Sequence, residues 1–85
     1  MSSEIEIPVE VVEALLKIRE SGRFNMLDSQ NVVYSMYRNR MNFAADWLVS
    51  ISGSGKVSVN SIRYFAAIKE LDNVIKIANV LHKSV

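Results

Sequence analysis

The chain has 85 residues, no cysteine and a formal net charge of +1, and 49% of its residues are hydrophobic. This length predicts one domain, residues 1 to 85, near the small end of what folds alone, so a homodimer or a complex is a candidate source of further burial. The composition excludes disorder, disulfides and thiolate metal sites, no apolar run approaches a membrane span, and the acidic N-terminus lacks a secretory signal pattern; we expect a soluble, cytoplasmic protein that does not bind membranes.

The first predicted helix begins at Pro8, whose fixed φ suits a first helical turn. Gly22 is expected to end this helix in a left-handed conformation. Between them, apolar residues recur at spacings of three and four and predict a buried stripe of Val11, Val12, Leu15, Leu16 and Ile18. Residues 1 to 7 are predicted to form an extended arm, because residues 4 to 7 alternate in hydrophobicity. The arm could pair with the similar alternation at residues 56 to 59.

A connector over residues 23 to 28 leads to the second predicted helix, for which Asp28 is a good N-cap. The next stripe predicts one helix over residues 29 to 51 and consists of Val33, Tyr37, Met41, Ala44, Leu48 and Ile51. The alternative is two shorter helices, because Asn39 and Asn42 are poor interior helix residues and could mark a turn.

Residues 52 to 57 have the composition of a flexible linker between two helical halves. They contain Gly55 and Lys56, which raises the question of a phosphate-binding loop. That motif needs a glycine five residues before Gly55 and a hydroxyl after the lysine, but Ser50 and Val57 occupy these positions. We therefore interpret the stretch as a linker.

Asn60 is expected to cap a helix whose apolar residues are Ile62, Tyr64, Phe65, Ala67, Ile68 and Leu71. This helix either continues past Asp72 and Asn73 or gives way to a final helix capped there. Both versions bury the same later residues, which are Val74, Ile77, Ala78 and Leu81. The pattern predicts an all-α fold, a small bundle of three to five helices, with a minor two-strand ribbon of residues 5 to 7 and 57 to 59 as an optional addition.

No residue set with catalytic spacing is present, so we expect a non-enzymatic protein without cofactor or metal. His82 is the only histidine, and its sequence neighbours offer no orienting carboxylate or second ligand. Its place in a last helical turn favours an interaction with the helix's terminal carbonyl groups.

Charge is unevenly distributed and points to a binding surface. Residues 1 to 20 carry five glutamates against two cations, a sum of −3, whereas residues 21 to 69 carry six cations against two aspartates, a sum of +4. Such a basic middle could face nucleic acid or an acidic protein surface, although its cations are more dispersed than in a dedicated DNA binder. A helix-turn-helix would expose Asn31, Ser35, Arg38 and Asn39.

The aromatic residues and their neighbours on the predicted helices form two groups. Phe43, Trp47 and Phe65 lie beside apolar stripes and are predicted to build the core. Tyr34, Met36 and Arg38 have the composition of a protein-binding hot spot. The candidate partner-binding residues are Arg23, Tyr34, Met36, Arg38, Arg40, Lys56 and Arg63.

The run from Ile18 to Asp28, with Pro8 and Leu15 before it, resembles a family of very short phage and bacterial proteins of unknown function. Their signature is I-R-(D/E)-S-G-x-x-N-M-x-D. The similarity spans residues 8 to about 48, and Asn42-Phe43 stands where a glycine and an aromatic are usual, which leaves the end of the second helix open. The resemblance implies a phage or mobile-element origin and no particular activity.

The leading hypothesis is a non-enzymatic phage or mobile-element protein that binds a host protein in the host cytoplasm and modulates or inhibits it. The alternative is a small DNA-binding transcriptional regulator that uses the basic central segment. The salt dependence of the binding affinity distinguishes the two hypotheses. An affinity for DNA should fall steeply as salt rises, because phosphate contacts release counterions, whereas a protein complex should tolerate salt.

Overall fold

The computed structural model describes residues 5 to 83, with side chains up to residue 81, so residues 1 to 4 of the arm and the side chain of His82 lie outside the described part. Within it, helices and strands follow one another as α1 (Val9–Glu20), α2 (Ser29–Arg38), α3 (Asn42–Leu48), β1 (Val49–Ile51), β2 (Val57–Val59) and α4 (Ser61–Lys83). The prediction of a small, mostly helical fold is confirmed, and the structure also contains one two-strand antiparallel ribbon. No helix in this range is both long enough and apolar enough to cross a membrane.

The core lies around α1, which packs against each of the other three helices. Val11, Leu15 and Ile18 of the stripe predicted on α1 are buried, whereas Val12 and Leu16 are half-buried against the core. Every helix contributes to the same cluster, whose members are Val11, Ala14, Leu15, Ile18, Val32, Val33, Met36, Ala44, Ala45, Leu48, Tyr64, Ala67 and Leu71. One apolar cluster therefore holds the four helices together.

Three predicted helix ends are confirmed. The Asp28 side chain accepts a hydrogen bond from the Asn31 backbone N–H at 3.5 Å and from the Asn31 amide at 2.6 Å. The Asn60 side chain accepts from the Arg63 N–H at 3.2 Å, in the first turn of α4. Gly22, just after α1, has φ +69°, the left-handed conformation that a glycine adopts without steric cost.

The segment 29 to 51 is broken, so the two-helix alternative is correct and the single helix is wrong. Arg40 adopts φ +61° between α2 and α3. The Met41 N–H reaches back to the Met36 carbonyl at 2.8 Å, and the Arg40 N–H reaches the Tyr37 carbonyl at 3.2 Å. This is a Schellman motif, the hydrogen-bond pattern that closes a helix around a left-handed residue. Here an arginine occupies the position that glycine usually takes.

The ribbon has a different partner from the predicted one. β2 pairs antiparallel with β1, with Val49 opposite Val59 and Ile51 opposite Val57. Residues 5 to 7 are not in a strand. A hairpin closes a loop of only five residues, whereas the predicted pairing would have closed one of about fifty at a larger entropic cost. Ile51, which we expected on a helical stripe, lies instead in this hairpin.

The glycine-rich stretch forms the hairpin turn between β1 and β2. The Ser52 N–H donates to the Lys56 carbonyl and the Gly55 N–H donates to the Ser52 carbonyl, both at 2.9 Å. Gly55 has φ +83°, which favours glycine in this turn. The stretch thus has hydrogen-bonded turn geometry between two paired strands, in contrast to the strand-to-helix setting of a phosphate-binding loop.

α4 is one continuous helix, and its second half is more exposed than the sequence pattern predicts. Asp72 and Asn73 lie on its surface, as the continuing-helix version requires. Both the continuing-helix and the separate-helix predictions buried the apolar residues that follow. Both were wrong on this point, because Val74, Ile77, Ala78 and Leu81 are all exposed. The helix extends past the elements that could cover them, and only Ile75 in this half packs against the core.

Tyr64 ties α4 to the connector. Its side chain is fully buried, and its hydroxyl donates a hydrogen bond of 2.6 Å to the Met26 carbonyl. Burial, with a smaller effect of the Asp28 charge, raises the pKa of Tyr64 to about 12. The connector is further ordered by the Asn25 side chain, which accepts from the Leu27 N–H at 2.9 Å. A single phenol therefore fixes a segment 38 residues away in sequence.

We expect Tyr64→Phe to lower the free energy of unfolding by about 1 kcal/mol at pH 7, because it leaves the Met26 carbonyl without its donor. In the wild type, the phenol of the unfolded chain ionises near the ordinary tyrosine pKa of 10.0, and that of the folded chain has a pKa of about 12. The buried phenol therefore makes its whole contribution to the free energy of unfolding below pH 10, and this contribution is lost as pH rises towards 12. Urea unfolding from pH 7 to 12 should show the gap between wild type and variant shrinking. The exposed Tyr34→Phe serves as control, and a gap that stays constant would contradict the assignment.

Arg40→Gly should raise the free energy of unfolding by up to about 1 kcal/mol, because it relieves a left-handed conformation that is costly for a residue with a Cβ. The reverse change at an equivalent position, Gly22→Ala, should lower it by about 1 kcal/mol for the same reason. No atom lies within 4 Å of an added Cβ at Gly22, so backbone strain alone would act. Gly53→Ala, where φ is not positive, is the control. Thermal unfolding measures all three, and equal effects at positions 22 and 53 would refute this interpretation.

Candidate functional site

A groove of about 660 Å³ lies where the end of α1, the connector and α2 meet; we refer to it as the basic groove. Its charged lining residues are Lys17, Arg23 and Arg38, and the two arginine side chains are exposed. No carboxylate lines it among the described residues. The other lining residues are Ile18, Ser21, Phe24, Asn31, Tyr34, Ser35, Asn39 and Met41. The groove therefore offers three positive charges and several hydrogen-bonding groups to an anionic ligand.

α2 places one polar and one aromatic side chain beside Arg38. Asn31, Tyr34 and Arg38 are spaced by three and four residues, so they share one face of the helix. The Arg38 guanidinium lies 5.9 Å from the centre of the Tyr34 ring, within cation–π range. Tyr34 remains 61% exposed. The pair thus presents a flat aromatic and a planar cation at the surface, ready to contact a ligand.

The floor of the groove is apolar and fixed by the core. Ile18 is buried, and Phe24 and Met41 pack against the core cluster. Ser35, which the helix-turn-helix hypothesis placed on an exposed face, is buried. It accepts hydrogen bonds from the Asn39 amide at its carbonyl, 2.8 Å, and at its hydroxyl, 3.2 Å. These bonds hold the Asn39 amide at the edge of the groove.

Three of the seven predicted partner-binding residues line the same groove, and the other four do not. Arg23, Tyr34 and Arg38 line the basic groove. Met36 is fully buried in the core, so it cannot contact a partner in this fold, and its prediction is corrected. Lys56 lies in the hairpin turn and is not among the residues that line the groove. The remaining two, Arg40 and Arg63, have different surroundings.

Arg40 lines a smaller pocket of about 200 Å³ beside the basic groove. Glu10 and Glu13 of α1 line this pocket too, and Lys17 and Met41 belong to both cavities. The carboxylates give this neighbouring pocket a mixed charge. The basic groove thus has an acidic border on the α1 side.

Arg63 is tied to the protein itself. Its guanidinium lies 5.0 Å from the centre of the Trp47 ring, and its Nη1 donates a hydrogen bond of 3.0 Å to the Trp47 carbonyl. This cation joins the start of α4 to the end of α3. We assign it a structural role.

Two of the three aromatic residues expected in the core are largely outside it. Phe43 is 57% exposed and Phe65 is 49% exposed, whereas Trp47 packs against the core as predicted. The break before α3 turns Ala44, Ala45 and Leu48 inward and leaves Phe43 outside. In α4 the inward position belongs to Tyr64, and Phe65 packs edge-on against it, with ring centres 5.6 Å apart.

Sequence reasoning missed Lys17 as a groove residue. It contributed only to the charge sum of an acidic segment, and its place in the groove depends on how α1 packs beside α2. As candidate ligand-contacting residues, Asn31 and Asn39 were identified only through the helix-turn-helix hypothesis. A helical projection of α2 alone would have found Asn31 next to Tyr34 and Arg38, because the three share a face.

The basic groove carries groups that can bind an anion. Its arginine guanidinium groups can each donate paired hydrogen bonds to a carboxylate or phosphate. Among the described residues, no group of three or more His, Cys, Asp or Glu could hold a metal ion. The chain matches no protein-family model, no curated protein and no solved structure.

Arg63→Ala should lower the free energy of unfolding by about 1 to 2 kcal/mol, because it removes a cation–π contact and a hydrogen bond to the Trp47 carbonyl. Trp47 is the only tryptophan, so its fluorescence should shift as its ring becomes more hydrated. Lys69→Ala, at an exposed cation of the same helix, should change neither quantity. Chemical unfolding followed by fluorescence tests this, and unchanged emission in the Arg63 variant would contradict the structural role.

Proposed function

We propose that this chain is a non-enzymatic binding protein that acts by occupying, and so modulating or inhibiting, a host protein. The basic groove is the surface that would make the contact. The resemblance over residues 8 to 48 suggests that the protein comes from a phage or mobile element. The observation that carries the proposal is the cation–π pair of Tyr34 and Arg38 in a groove without carboxylates among the described residues.

An acidic protein segment fits this groove best. Lys17, Arg23 and Arg38 supply charge, while exposed Tyr34 supplies apolar area and a hydroxyl. Tyrosine and arginine carry much of the energy in protein interfaces, because both combine flat, rigid surface with hydrogen-bond donors. Leu27, 71% exposed in the connector, adds an apolar side chain to the same segment as Arg23 and Phe24.

The DNA-binding alternative rests on the cations of the central segment, of which Arg23 and Arg38 line the groove, and the surroundings of the groove weigh against it. A specific DNA site typically neutralises about six to ten phosphates, whereas the groove has three cations. Glu10 and Glu13 border it through the neighbouring pocket. Their charges would repel a continuous phosphate backbone but would leave a short acidic peptide segment room to bind at the arginines.

The test is a charge reversal in the groove with a matched reversal outside it. Arg38→Glu should weaken binding of the host partner by about 100-fold or more, because it removes a bidentate donor and adds repulsion. Lys56→Glu, at an exposed cation in the hairpin turn, should leave binding unchanged. The measurement is affinity capture from nuclease-treated host lysate with wild type and both variants.

Three outcomes would overturn the proposal. Equal capture by wild type and the Arg38 variant would remove the groove from the interface. Loss of all binding after nuclease, with an affinity for DNA that falls steeply with salt, would favour the regulator instead. Turnover of a small molecule by the purified protein would refute a purely binding role.

A further inference from the structure

Two asparagine side chains line the basic groove with amide oxygens that are not used within the described part of the chain. The Asn31 Nδ2 donates a hydrogen bond of 2.6 Å to an Asp28 carboxylate oxygen, and the Asn39 Nδ2 donates one of 2.8 Å to the Ser35 carbonyl. A carboxylate and a carbonyl only accept hydrogen bonds, so each amide must turn its nitrogen towards them. Both side chains are exposed, and both amide oxygens are therefore available to a ligand.

The groove is thus complementary to a ligand that is both an anion and a hydrogen-bond donor. Its three cations, Lys17, Arg23 and Arg38, can only donate, and they favour negative charge. The two amide oxygens can only accept. A peptide segment with acidic side chains satisfies both, because each residue except proline also has a main-chain N–H. The sugar-phosphate backbone of duplex DNA supplies charge and acceptors but no donor for these oxygens.

The spacing of the two asparagines fits an extended peptide. Asn39 comes eight positions after Asn31, which is about 12 Å along the helix at roughly 1.5 Å per residue. In an extended chain, N–H groups on one side recur at every second residue, so two of them four residues apart lie about 13 Å apart. Tyr34 and Arg38 lie between the asparagines and are exposed. A helical ligand fits less well, because all but its first four N–H groups are bonded within the helix.

We propose that the basic groove binds its partner as an extended acidic segment, with Asn31 and Asn39 each accepting a hydrogen bond from a main-chain N–H. The two N–H groups are four residues apart in the partner. Arg38, next to Asn39 in the sequence, binds a carboxylate of the same segment. This mode of binding rests on the proposed function, because it takes the groove as the partner-binding surface. It specifies the atoms and the conformation of the partner that are recognised.

The two kinds of contact have different consequences for specificity. Main-chain hydrogen bonds supply affinity with little regard to sequence, and side-chain contacts select the sequence. In this groove the selecting groups are the cations and Tyr34, so acidic segments of differing sequence should bind. Successive acidic residues also repel one another and keep a free segment extended, which reduces the entropy lost when it binds.

The first test uses capped pentaglutamate, an acetylated peptide dimethylamide, as the probe. Its length fixes the register, because only its first and fifth main-chain N–H groups are four residues apart. Methylation of either nitrogen should raise the dissociation constant about five-fold, since one hydrogen bond is lost. Methylation of the second or fourth nitrogen should leave it unchanged. Capped pentaglutamine, which lacks the carboxylates, should bind about tenfold more weakly or worse. Heteronuclear NMR titration measures each constant and reports which residues shift.

The second test combines these peptides with protein variants. Asn31→Ala and Asn39→Ala should each raise the dissociation constant about five-fold. In the Asn31 variant one of the two effective methylations should become silent, and in the Asn39 variant the other, because the hydrogen bond is already absent. A merely structural role would not produce this coupling. Asn73→Ala, at an exposed asparagine of α4, is the control and should behave as wild type. The same spectra establish that each variant is folded.

Three results would overturn the proposal. Wild type could show no spectral change at millimolar pentaglutamate. The methylations could act equally at all positions, or without coupling to the asparagines. Adenosine monophosphate also joins an anion to N–H donors, and if it shifted the groove residues and bound more tightly than pentaglutamate, the groove would be a nucleotide site.

Failure of this mode of binding is distinguishable from failure of the proposed function. Host capture that is lost in Arg38→Glu, without coupling at the asparagines, would reject the extended mode and keep the groove as the partner surface. Coupling at the asparagines, with host capture unaffected by Arg38→Glu, would support peptide recognition by the groove and reject its use for that host protein.

Discussion

The buried Tyr64 side chain, whose hydroxyl donates a hydrogen bond to the Met26 carbonyl, is the contact that ties the connector to the helical core. It joins the first turn of α4 to the connector between α1 and α2. Tyr64 is also among the largest fully buried side chains, so the same residue fills the core and satisfies a backbone acceptor that burial would otherwise leave costly. No buried side-chain polar atom of the described residues lacks a hydrogen-bond partner. A fixed connector in turn gives the basic groove one of its three walls.

The left-handed conformation of Arg40 has a comparable effect on α2, which forms a second wall of the basic groove. By ending α2 it lets α3 turn back against α1, and the Tyr37 hydroxyl spans the break with a 2.8 Å hydrogen bond to Asp46. Partial burial, followed by the contact with Asp46, raises the pKa of Tyr37, so the phenol stays protonated and continues to donate. An uninterrupted helix would carry Met41 away from the groove. The strain at Arg40 is therefore part of what shapes the candidate site.

Structural features that depend on residues close in the sequence were predictable, and features that depend on packing between helices and strands were not. Gly22, Asp28 and Asn60 were identified correctly because a helix cap depends on residues within one turn. The burial of Phe43 and of the second half of α4 was misjudged, because a stripe shows only that a face is apolar and not whether another element covers it. The predicted strand partner of β2 was wrong for a related reason, because alternation over four residues is compatible with several strand pairings. In the groove, charge indicated Arg23 and Arg38, but Lys17 required the packing of α1 beside α2.

The order of elements along the chain affects how this protein can fold during synthesis. α1 packs against residues of α4, which leave the ribosome some fifty residues after it. Until Tyr64, Ala67 and Leu71 have emerged, one side of α1 has nothing to bury it, and a nascent chain ending in the hairpin exposes much of its future core. Loop closure between distant segments must then precede most of the stabilisation. The four helices therefore cannot complete their shared core until α4 has been synthesised, and partly synthesised forms expose apolar surface that chaperones and proteases can bind.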